Sequence, residues 1–419
     1  MSVDALAITG GSSLFGETRI YGAKNAALPI LAATVMVEGT CVIDDVPHLE
    51  DVRVMAEILR ALGATVERSG MQVTVDSTNI RLTNVPADLM QRMRSSIFLM
   101  GPLLARFGEV RVSKPGGCVI GQRPVDYHLT GMRALGAAVE EKHGYIRCTA
   151  RRLQGTTVTL DFPSVGATEN LIMASALADG VTVIENAARE PEIVDLANFL
   201  KSCGALIEGA GETTVRVTGV HHLTGTEHRI IGDRIVAGTM LIAGAATGGR
   251  VTVENVSPAH LGSLLAKMRE SGMRVESGHD IITVESSRAW QSVDLRTEPF
   301  PGFPTDLQAP FMAMLTTAQG TSLVRENVFE ARFKHVNELT RMGADISVDL
   351  RTAVIRGVDK LSGARVECSD LRGGAALVIA GLMADGVTHV EGLHHIDRGY
   401  QSMEMHLRDL GADIERVQL

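Results

Sequence analysis

The stretch from Lys114 to Asp126 places one cysteine, Cys118, in a segment rich in glycine and proline, with Lys114 and Arg123 on either side. Glycine permits backbone angles that other residues resist and proline removes an amide donor, so this stretch predicts a loop. Two nearby cations stabilise a thiolate and attract an anionic substrate. One interpretation is therefore a reactive cysteine beside an anion site, and the other is a turn with an inert, buried thiol.

Further candidate residues come just before predicted buried helices. Six segments occupy equivalent positions there, namely residues 21–25, 91–95, 163–167, 231–234, 303–306 and 369–373. Backbone amides are unpaired at a helix N-terminus, and such ends bind anions. N-capping explains Asp233 and Asp370 as well as function does. Lys24, Arg94 and Arg372 oppose the helix dipole, so they indicate either an anionic ligand or a solvated surface.

Asp306 lies in a stiff loop of prolines and aromatics that enters a helix. A carboxylate there either accepts a proton from a hydroxyl or caps the helix. Arg332 and Arg398 are predicted to begin outer helices, and arginine suits forked recognition of a carboxylate or phosphate.

Charge, cysteine usage and motif content exclude several classes of function. A net charge of −9 argues against nucleic acid as a general partner. No apolar run approaches about 18 residues and no signal peptide is evident, so no membrane insertion is expected. The five dispersed cysteines indicate reduced thiols in a cytoplasm and make zinc improbable. The histidine pairs 221–222 and 394–395 are interpreted as structural, and neither a Walker motif nor a strand-linked GxGxxG is present.

An internal repeat organises the chain. A glycine that closes an amphipathic segment recurs about every 70 residues, at Gly63, Gly136, Gly204, Gly272, Gly343 and Gly411. Each is predicted to end an outer helix in the left-handed conformation and to precede two alternating strands. Earlier in each unit is a helix that is apolar on nearly every side and is therefore expected to be buried. These inner helices are predicted at 26–37, 97–107, 172–179, 235–246, 307–318 and 375–385.

Each unit thus reads β-α-β-α-β-β, and six units predict an α/β protein of two domains with three repeats each. The sixth unit is one strand short, and residues 5–9 at the N-terminus are the predicted partner. The domains are therefore expected to be 22–231 and 1–21 plus 232–419, with the chain crossing twice. A cleft between domains is a preferred place for a ligand, so the active site is predicted there.

Several motifs resemble the UDP-N-acetylglucosamine 1-carboxyvinyltransferase family over nearly the whole chain. They are Gly22-Ala-Lys24-Asn25, the Pro115 to Asp126 loop with Cys118 and Arg123, Pro304-Thr-Asp306, Glu326-Asn-Val328-Phe329-Glu330, and Ile396-Asp-Arg398-Gly-Tyr400. The resemblance implies the inside-out α/β barrel fold of the enolpyruvyl transferases. It also implies transfer of enolpyruvate from phosphoenolpyruvate to the 3′-hydroxyl of UDP-N-acetylglucosamine, the first committed step of peptidoglycan synthesis.

The resemblance also implies roles for individual residues. Cys118 donates the proton to the methylene carbon and is the target of fosfomycin, and Asp306 is the base for the sugar hydroxyl. Lys24, Arg123 and Arg398 neutralise the phosphate, while Arg332 and Arg372 are candidates for the carboxylate. The predicted sugar-nucleotide contacts are Asn25, Arg94, Arg123, Pro124, Val125, Asp126, Tyr127, Ser164, Val165, Gly166, Asp306 and Val328. No metal or organic cofactor is expected, because the cations supply the electrostatic stabilisation.

Modest departures and two alternatives accompany this interpretation. Phe98 and Tyr127 stand where other members of the family often carry different bulky residues. Phe162-Pro163 stands where the family often has a lysine beside the diphosphate, which puts that contact in doubt. The alternative enzyme is a sister transferase such as 5-enolpyruvylshikimate-3-phosphate synthase, and the alternative from another class is a non-catalytic nucleotide-sugar sensor. A monomer and a weak dimer are both compatible with the sequence.

Overall fold

The computed structural model describes residues 3–113, 125–287 and 289–419. Short helices alternate with short strands throughout this part of the chain. Its α-helices are α1 (Lys24–Ala33), α2 (Glu50–Leu62), α3 (Ala87–Arg92), α4 (Met100–Phe107), α5 (Asp126–Ala134), α6 (Val165–Ala176), α7 (Pro191–Ser202), α8 (Arg234–Ala246), α9 (Gly262–Glu270), α10 (Gln308–Leu315), α11 (Val336–Arg341), α12 (Leu371–Met383) and α13 (Met403–Asp409).

Most strands are five residues long or shorter, as expected for a β-α-β-α-β-β repeat of this size. They are β1 (Asp4–Thr9), β2 (Phe15–Arg19), β3 (Val37–Glu38), β4 (Thr40–Asp44), β5 (Thr65–Ser69), β6 (Gln72–Asp76), β7 (Glu109–Ser113), β8 (Ala138–Lys142), β9 (Tyr145–Thr149), β10 (Thr157–Thr159), β11 (Val181–Glu185), β12 (Leu206–Glu208), β13 (Thr214–Thr218), β14 (Leu223–Thr224), β15 (Glu227–Arg229), β16 (Arg250–Glu254), β17 (Arg274–Ser277), β18 (Ile281–Glu285), β19 (Leu295–Arg296), β20 (Thr321–Arg325), β21 (Asp345–Asp349), β22 (Thr352–Arg356), β23 (Arg365–Glu367), β24 (Val387–Glu391) and β25 (Asp413–Gln418).

The described residues fall into two compact units. The middle unit comprises 22–113 and 125–231, and the split unit comprises 3–21, 232–287 and 289–419. The middle unit contains the sheets β15-β4-β6-β5, β7-β9-β8 and β10-β11-β13-β12, together with the pair β14-β3. The split unit contains β17-β18-β16-β2, β19-β20-β22-β21 and β23-β24-β1-β25.

The four-stranded sheets share one pattern of pairing. One edge strand pairs in parallel with its neighbour, and the two remaining pairings are antiparallel, as in β19-β20-β22-β21. In three of these sheets one helix connects the two parallel strands, as α10 does between β19 and β20, because parallel strands need a long crossover. In the other two the parallel partners are far apart in the sequence: β4 pairs with β15, and β16 pairs with β2. Tight turns close antiparallel hairpins such as β21–β22. The predicted β-α-β-α-β-β repeat is therefore confirmed. Within the described residues each sheet is open, with two edge strands.

The N-terminal strand completes the last sheet of the split unit. Residues 4–9 pair antiparallel with β24 on one side and with β25 on the other. Ala5, Leu6 and Ile8 are buried there. The predicted pairing of the first strand with the C-terminal repeat is thus confirmed.

The inner helices form the core of each unit. Every residue of α8 is buried, and nine of the ten residues of α1 are buried. Small residues allow the close approach: a Cβ at Gly238 would lie 2.5 Å from the Leu307 side chain, and one at Gly101 would lie 2.5 Å from the Asn170 carbonyl oxygen. Glycines at these positions therefore let the inner helices pack closely against their neighbours.

The outer helices end as the repeat predicts. The six glycines that close them have φ angles between 91° (Gly136) and 111° (Gly63), the left-handed region in which a Cβ is disfavoured. On α2, the first of these helices, one face is buried through Val52, Met55 and Leu59, and the other carries charged side chains.

Several helix boundaries differ from prediction, most of them by a few residues, as in α1, α10 and α12. The third inner helix spans 165–176 and not 172–179, because Ser164 caps it and the chain turns after Ala176. Arg332 does not begin an outer helix, since residues 330–335 form turns and α11 starts at Val336. Arg398 does not begin an outer helix either, because it ends the 3₁₀ turn Ile396–Arg398 and α13 starts at Met403. In the described part of the chain, no helix is both long enough and apolar enough to cross a lipid bilayer.

Candidate active site

Asp306 lies between two buried arginines of the split unit. Arg332 donates from Nη2 to Oδ1 at 2.6 Å, and Arg372 donates to Oδ2 from Nη2 at 3.0 Å and from Nε at 3.2 Å. The arginine side chains are only 5% and 4% exposed, while the carboxylate is 25% exposed. The Asp306 oxygens accept from these arginines, and the helical turn 305–307 has no side-chain cap.

The arginines control the basicity of this carboxyl. Burial raises the pKa of Asp306, but the charges and hydrogen bonds of Arg372 and Arg332 outweigh it and hold the pKa far below its usual range. Asp306 is therefore ionised but weakly basic in this arrangement. Both guanidinium groups are permanently charged forked donors, so the cluster offers two groups that can hydrogen-bond to an incoming anion.

Besides its bonds to Asp306, Arg372 is held in place by the start of α12 and by an aromatic ring. It is the second residue of α12, whose first turn is capped by Asp370 Oδ1, which accepts from the backbone N–H groups of Arg372 and Gly373. Its guanidinium packs over the Tyr400 ring at 5.2 Å, and the Tyr400 hydroxyl lies 2.9 Å from Thr239 Oγ1. Asp370 therefore acts as an N-cap, and the cation stands against the helix dipole as the sequence predicts.

Each arginine of this cluster keeps one buried donor that an acceptor can join. Arg332 Nε and Arg372 Nη1 are buried and have no hydrogen-bond partner among the described residues. Buried donors of a charged group are costly to leave unpaired, so an acceptor is expected to join them.

Lys24 is the first residue of α1 in the middle unit, two residues before the predicted start of that helix, and is largely buried. Its Nζ lies 3.4 Å from Asp51 Oδ2, and Asp51 is the second residue of α2. The carboxylate offsets the cost of a cation at the positive end of a helix. Asn25 follows on the same helix and is half-buried.

The two segments predicted to contact the sugar nucleotide come together in the middle unit. Asp126 and Tyr127 begin α5, directly after Val125, and Val165 begins α6 behind its cap, Ser164. A Cβ at Gly166 would lie 3.3 Å from His128 Cε1, so the two helix starts are in contact. Burial lowers the pKa of His128 to about 4, and its Nδ1 lies 2.9 Å from Asn170 Nδ2, so the ring is neutral and presents Nε2–H.

Some predicted site residues lie outside the described part of the chain, and others lie within it. Cys118, Arg123 and Pro124 lie outside the described residues, as does the side chain of Arg94. Arg398 ends a 3₁₀ turn two residues before Tyr400 and is half-buried. Val328 is half-buried, and its backbone N–H donates to Glu326.

Sequence reasoning missed Asp51, Thr305 and Glu326 as members of this machinery. Asp51 has an ordinary interpretation as a helix-start residue, and Thr305 and Glu326 were recognised only as parts of motifs. The sequence feature that could have identified the last two is their position in the motifs: Thr305 directly precedes Asp306, and Glu326 is the first residue of the 326–330 motif. No group of three or more metal-ligating side chains occurs among the residues described.

Comparison with known proteins places the chain among enolpyruvyl transferases. The model of the EPSP synthase (3-phosphoshikimate 1-carboxyvinyltransferase) family matches residues 8–407. A UDP-N-acetylglucosamine 1-carboxyvinyltransferase 2 from Carboxydothermus hydrogenoformans is 54% identical over 417 residues, which cover 99% of this chain and all of that protein. Another, from Caldanaerobacter subterraneus subsp. tengcongensis, is 53% identical and covers 98% of this chain and 99% of that one.

Solved structures agree on the fold. The enolpyruvyl transferase NikO from Streptomyces tendae superposes over the full length of both chains with a TM-score of 0.90 at 26% identity. EPSP synthase from Acinetobacter baumannii superposes with a TM-score of 0.76 at 18% identity, over 99% of this chain and all of that one. The enolpyruvyl transferase fold predicted from the sequence is thus confirmed.

Proposed function

The chain belongs to the EPSP synthase family and, within it, to the UDP-N-acetylglucosamine 1-carboxyvinyltransferases, and we propose how its residues perform that reaction. The enzyme transfers enolpyruvate from phosphoenolpyruvate to the 3′-hydroxyl of UDP-N-acetylglucosamine and releases phosphate, in peptidoglycan synthesis. In the addition step a C–O bond forms, one proton reaches the methylene carbon, and one leaves the hydroxyl. In the elimination step the C–O bond to phosphate breaks and the methyl group returns a proton.

The observation that carries the mechanism is the double arginine clamp on Asp306. While both arginines hold it, the carboxylate is too weak a base to take a proton from a sugar hydroxyl. Phosphoenolpyruvate is an anion that competes for the same guanidinium groups. When its carboxylate takes over hydrogen bonds from Arg332 and Arg372, the pKa of Asp306 rises and the base becomes active beside the substrate. Binding of one substrate thereby activates the base for the other.

The remaining roles follow from residue chemistry and family membership. Cys118 protonates the methylene carbon, and the cations Lys24, Arg123 and Arg398 neutralise the phosphate as its leaving bond breaks. The sugar nucleotide is bound by Asn25, Arg94, residues 123–127, residues 164–166 and Val328. Asp51 pairs with Lys24 at 3.4 Å and so helps to hold that cation in place. The reaction takes place in the cytoplasm, in keeping with five dispersed cysteines, and needs no cofactor.

Release of phosphate from phosphoenolpyruvate tests this proposal. We expect turnover with UDP-N-acetylglucosamine and none above background with shikimate 3-phosphate, the acceptor of the sister enzyme. Turnover with shikimate 3-phosphate alone would overturn the acceptor assignment. Binding of UDP-N-acetylglucosamine without any phosphate release would favour a sensor over an enzyme.

A further inference from the structure

Glu326 is a fully buried carboxylate that four donors surround. It follows β20 and is 0% exposed. Oε1 accepts from Thr297 Oγ1 at 2.9 Å and from the backbone N–H groups of Val328 and Phe329 at 2.9 and 3.0 Å. Oε2 accepts from Thr305 Oγ1 at 2.9 Å. A buried acid so completely hydrogen-bonded is a fixed anchor, since rotating it would leave several donors unpaired.

The direction of these bonds is determined by their outer neighbours. Arginine has donors only, so Arg332 Nη1, at 2.7 Å from Thr305 Oγ1, must donate to that oxygen. The hydroxyl proton of Thr305 is then free to point at Glu326. In the same way the backbone N–H of Asn327 donates to Thr297 Oγ1 at 2.9 Å, so the Thr297 proton also points at Glu326. Each threonine hydroxyl therefore accepts a hydrogen bond from one neighbour and donates its own proton to the Glu326 carboxylate.

The two links lead to different parts of the proposed reaction. Through Thr305, Glu326 holds Nη1 of Arg332, whose Nη2 holds Asp306. Through Thr297 and the two backbone N–H groups, it holds the 327–329 turn that contains Val328. One arm therefore reaches the base, and the other reaches the turn assigned to the sugar nucleotide.

We propose that Glu326 is a positioning residue. It fixes the Asp306–Arg332 pair and the Val328 turn relative to each other, so that the base lies within hydrogen-bonding distance of the sugar hydroxyl. The proposal rests on the proposed function, because it takes Asp306 as the base and Val328 as a sugar-nucleotide contact. Glu326 touches neither substrate. Its effect passes through Thr305 on one side and through the 327–329 backbone on the other.

Single methyl-for-hydroxyl changes separate the two arms. Thr305→Val removes the link to Arg332 and leaves the turn, while Thr297→Val removes a link to the turn and leaves Arg332. Thr305→Ser restores the hydroxyl. The matched control is Thr388→Val in β24, because the Thr388 hydroxyl is buried and has no hydrogen-bond partner among the described residues. Thermal melting of each variant checks that it is folded.

We expect Thr305→Val to lower kcat about 10- to 100-fold with the Kd for UDP-N-acetylglucosamine unchanged, because misplaced catalytic groups cost rate. Thr305→Ser should recover most of the loss. Thr297→Val should raise the Kd for UDP-N-acetylglucosamine, measured by titration calorimetry, with a smaller change in kcat. Thr388→Val should match the native chain in both.

Some outcomes would overturn the proposal. One is that folded Thr305→Val and Thr297→Val both behave like Thr388→Val. Another is that each lowers kcat and weakens sugar-nucleotide binding by the same factor, since a general loss of structure would do that. A native chain that binds the sugar nucleotide but releases no phosphate would instead contradict the proposed function. The Thr297→Val titration would still test the link from Glu326 through Thr297 to the 327–329 turn.

Discussion

The Asp306→Asn variant is expected to lose about 10²- to 10⁴-fold of kcat in phosphate release while binding phosphoenolpyruvate at least as tightly as the native chain. Asparagine keeps the size of the side chain but cannot take the proton of the sugar hydroxyl. It also carries no charge, so Arg332 and Arg372 are released to the substrate anion. Steady-state kinetics and a phosphoenolpyruvate titration, with UDP-N-acetylglucosamine present, measure the two effects separately.

A surface ion pair of the same unit supplies the control for this variant. Asp345 pairs with Arg356 at 3.2 Å and is 52% exposed, so Asp345→Asn is expected to leave kcat and substrate binding unchanged. Near-native kcat in Asp306→Asn would remove Asp306 as the base. Weaker phosphoenolpyruvate binding in the same variant would show that the carboxylate organises the arginines for the substrate and does not compete with it.

Arg372→Met is expected to lower kcat/KM for phosphoenolpyruvate by about 10²- to 10³-fold. Truncating one partner of a buried charge pair costs about 2–5 kcal/mol, and here the lost side chain is also proposed to bind the substrate carboxylate. Arg372→Lys should recover only part of the loss, because lysine keeps the charge but not the fork that reaches Asp306 through Nε and Nη2.

The control for this second variant is Arg356→Met, which breaks the exposed pair with Asp345. We expect it to keep native kinetics. Full activity of Arg372→Lys would indicate that charge alone matters at this position, and the forked geometry would then carry no part of the mechanism.

The repeat was readable from the sequence because its signals are local. A glycine at the end of an amphipathic segment commonly ends a helix in the left-handed backbone conformation, and all six glycines at these helix ends adopt that conformation in the structure. The sequence could not predict whether an aspartate before a helix caps that helix or binds another side chain. Asp233 and Asp370 accept backbone N–H bonds as caps, whereas Asp306 turns to the arginines. That choice depends on which side chains the fold brings near.

The partners of Asp306 could not be predicted for the same reason. Arg332 and Arg372 come from two other segments of the chain, and the sequence suggested them only as ligands for a substrate carboxylate. Arg332 was expected to begin the outer helix of the fifth repeat unit. In the structure Glu326 instead draws the backbone of Val328 and Phe329 into a turn, and the helix starts later, at Val336.

The most direct test of the arginine clamp is a pH titration of the Asp306 carboxyl by ¹³C NMR, with Asp306→Asn used for assignment. In the ligand-free protein, we predict that the Asp306 carboxyl does not titrate near the ordinary aspartate pKa of about 3.9, because the arginines keep it ionised well below that pH. Adding phosphoenolpyruvate should move the midpoint upward as the guanidinium groups turn to the anion. A midpoint near 3.9 without ligand, or one that phosphoenolpyruvate leaves unchanged, would contradict the account.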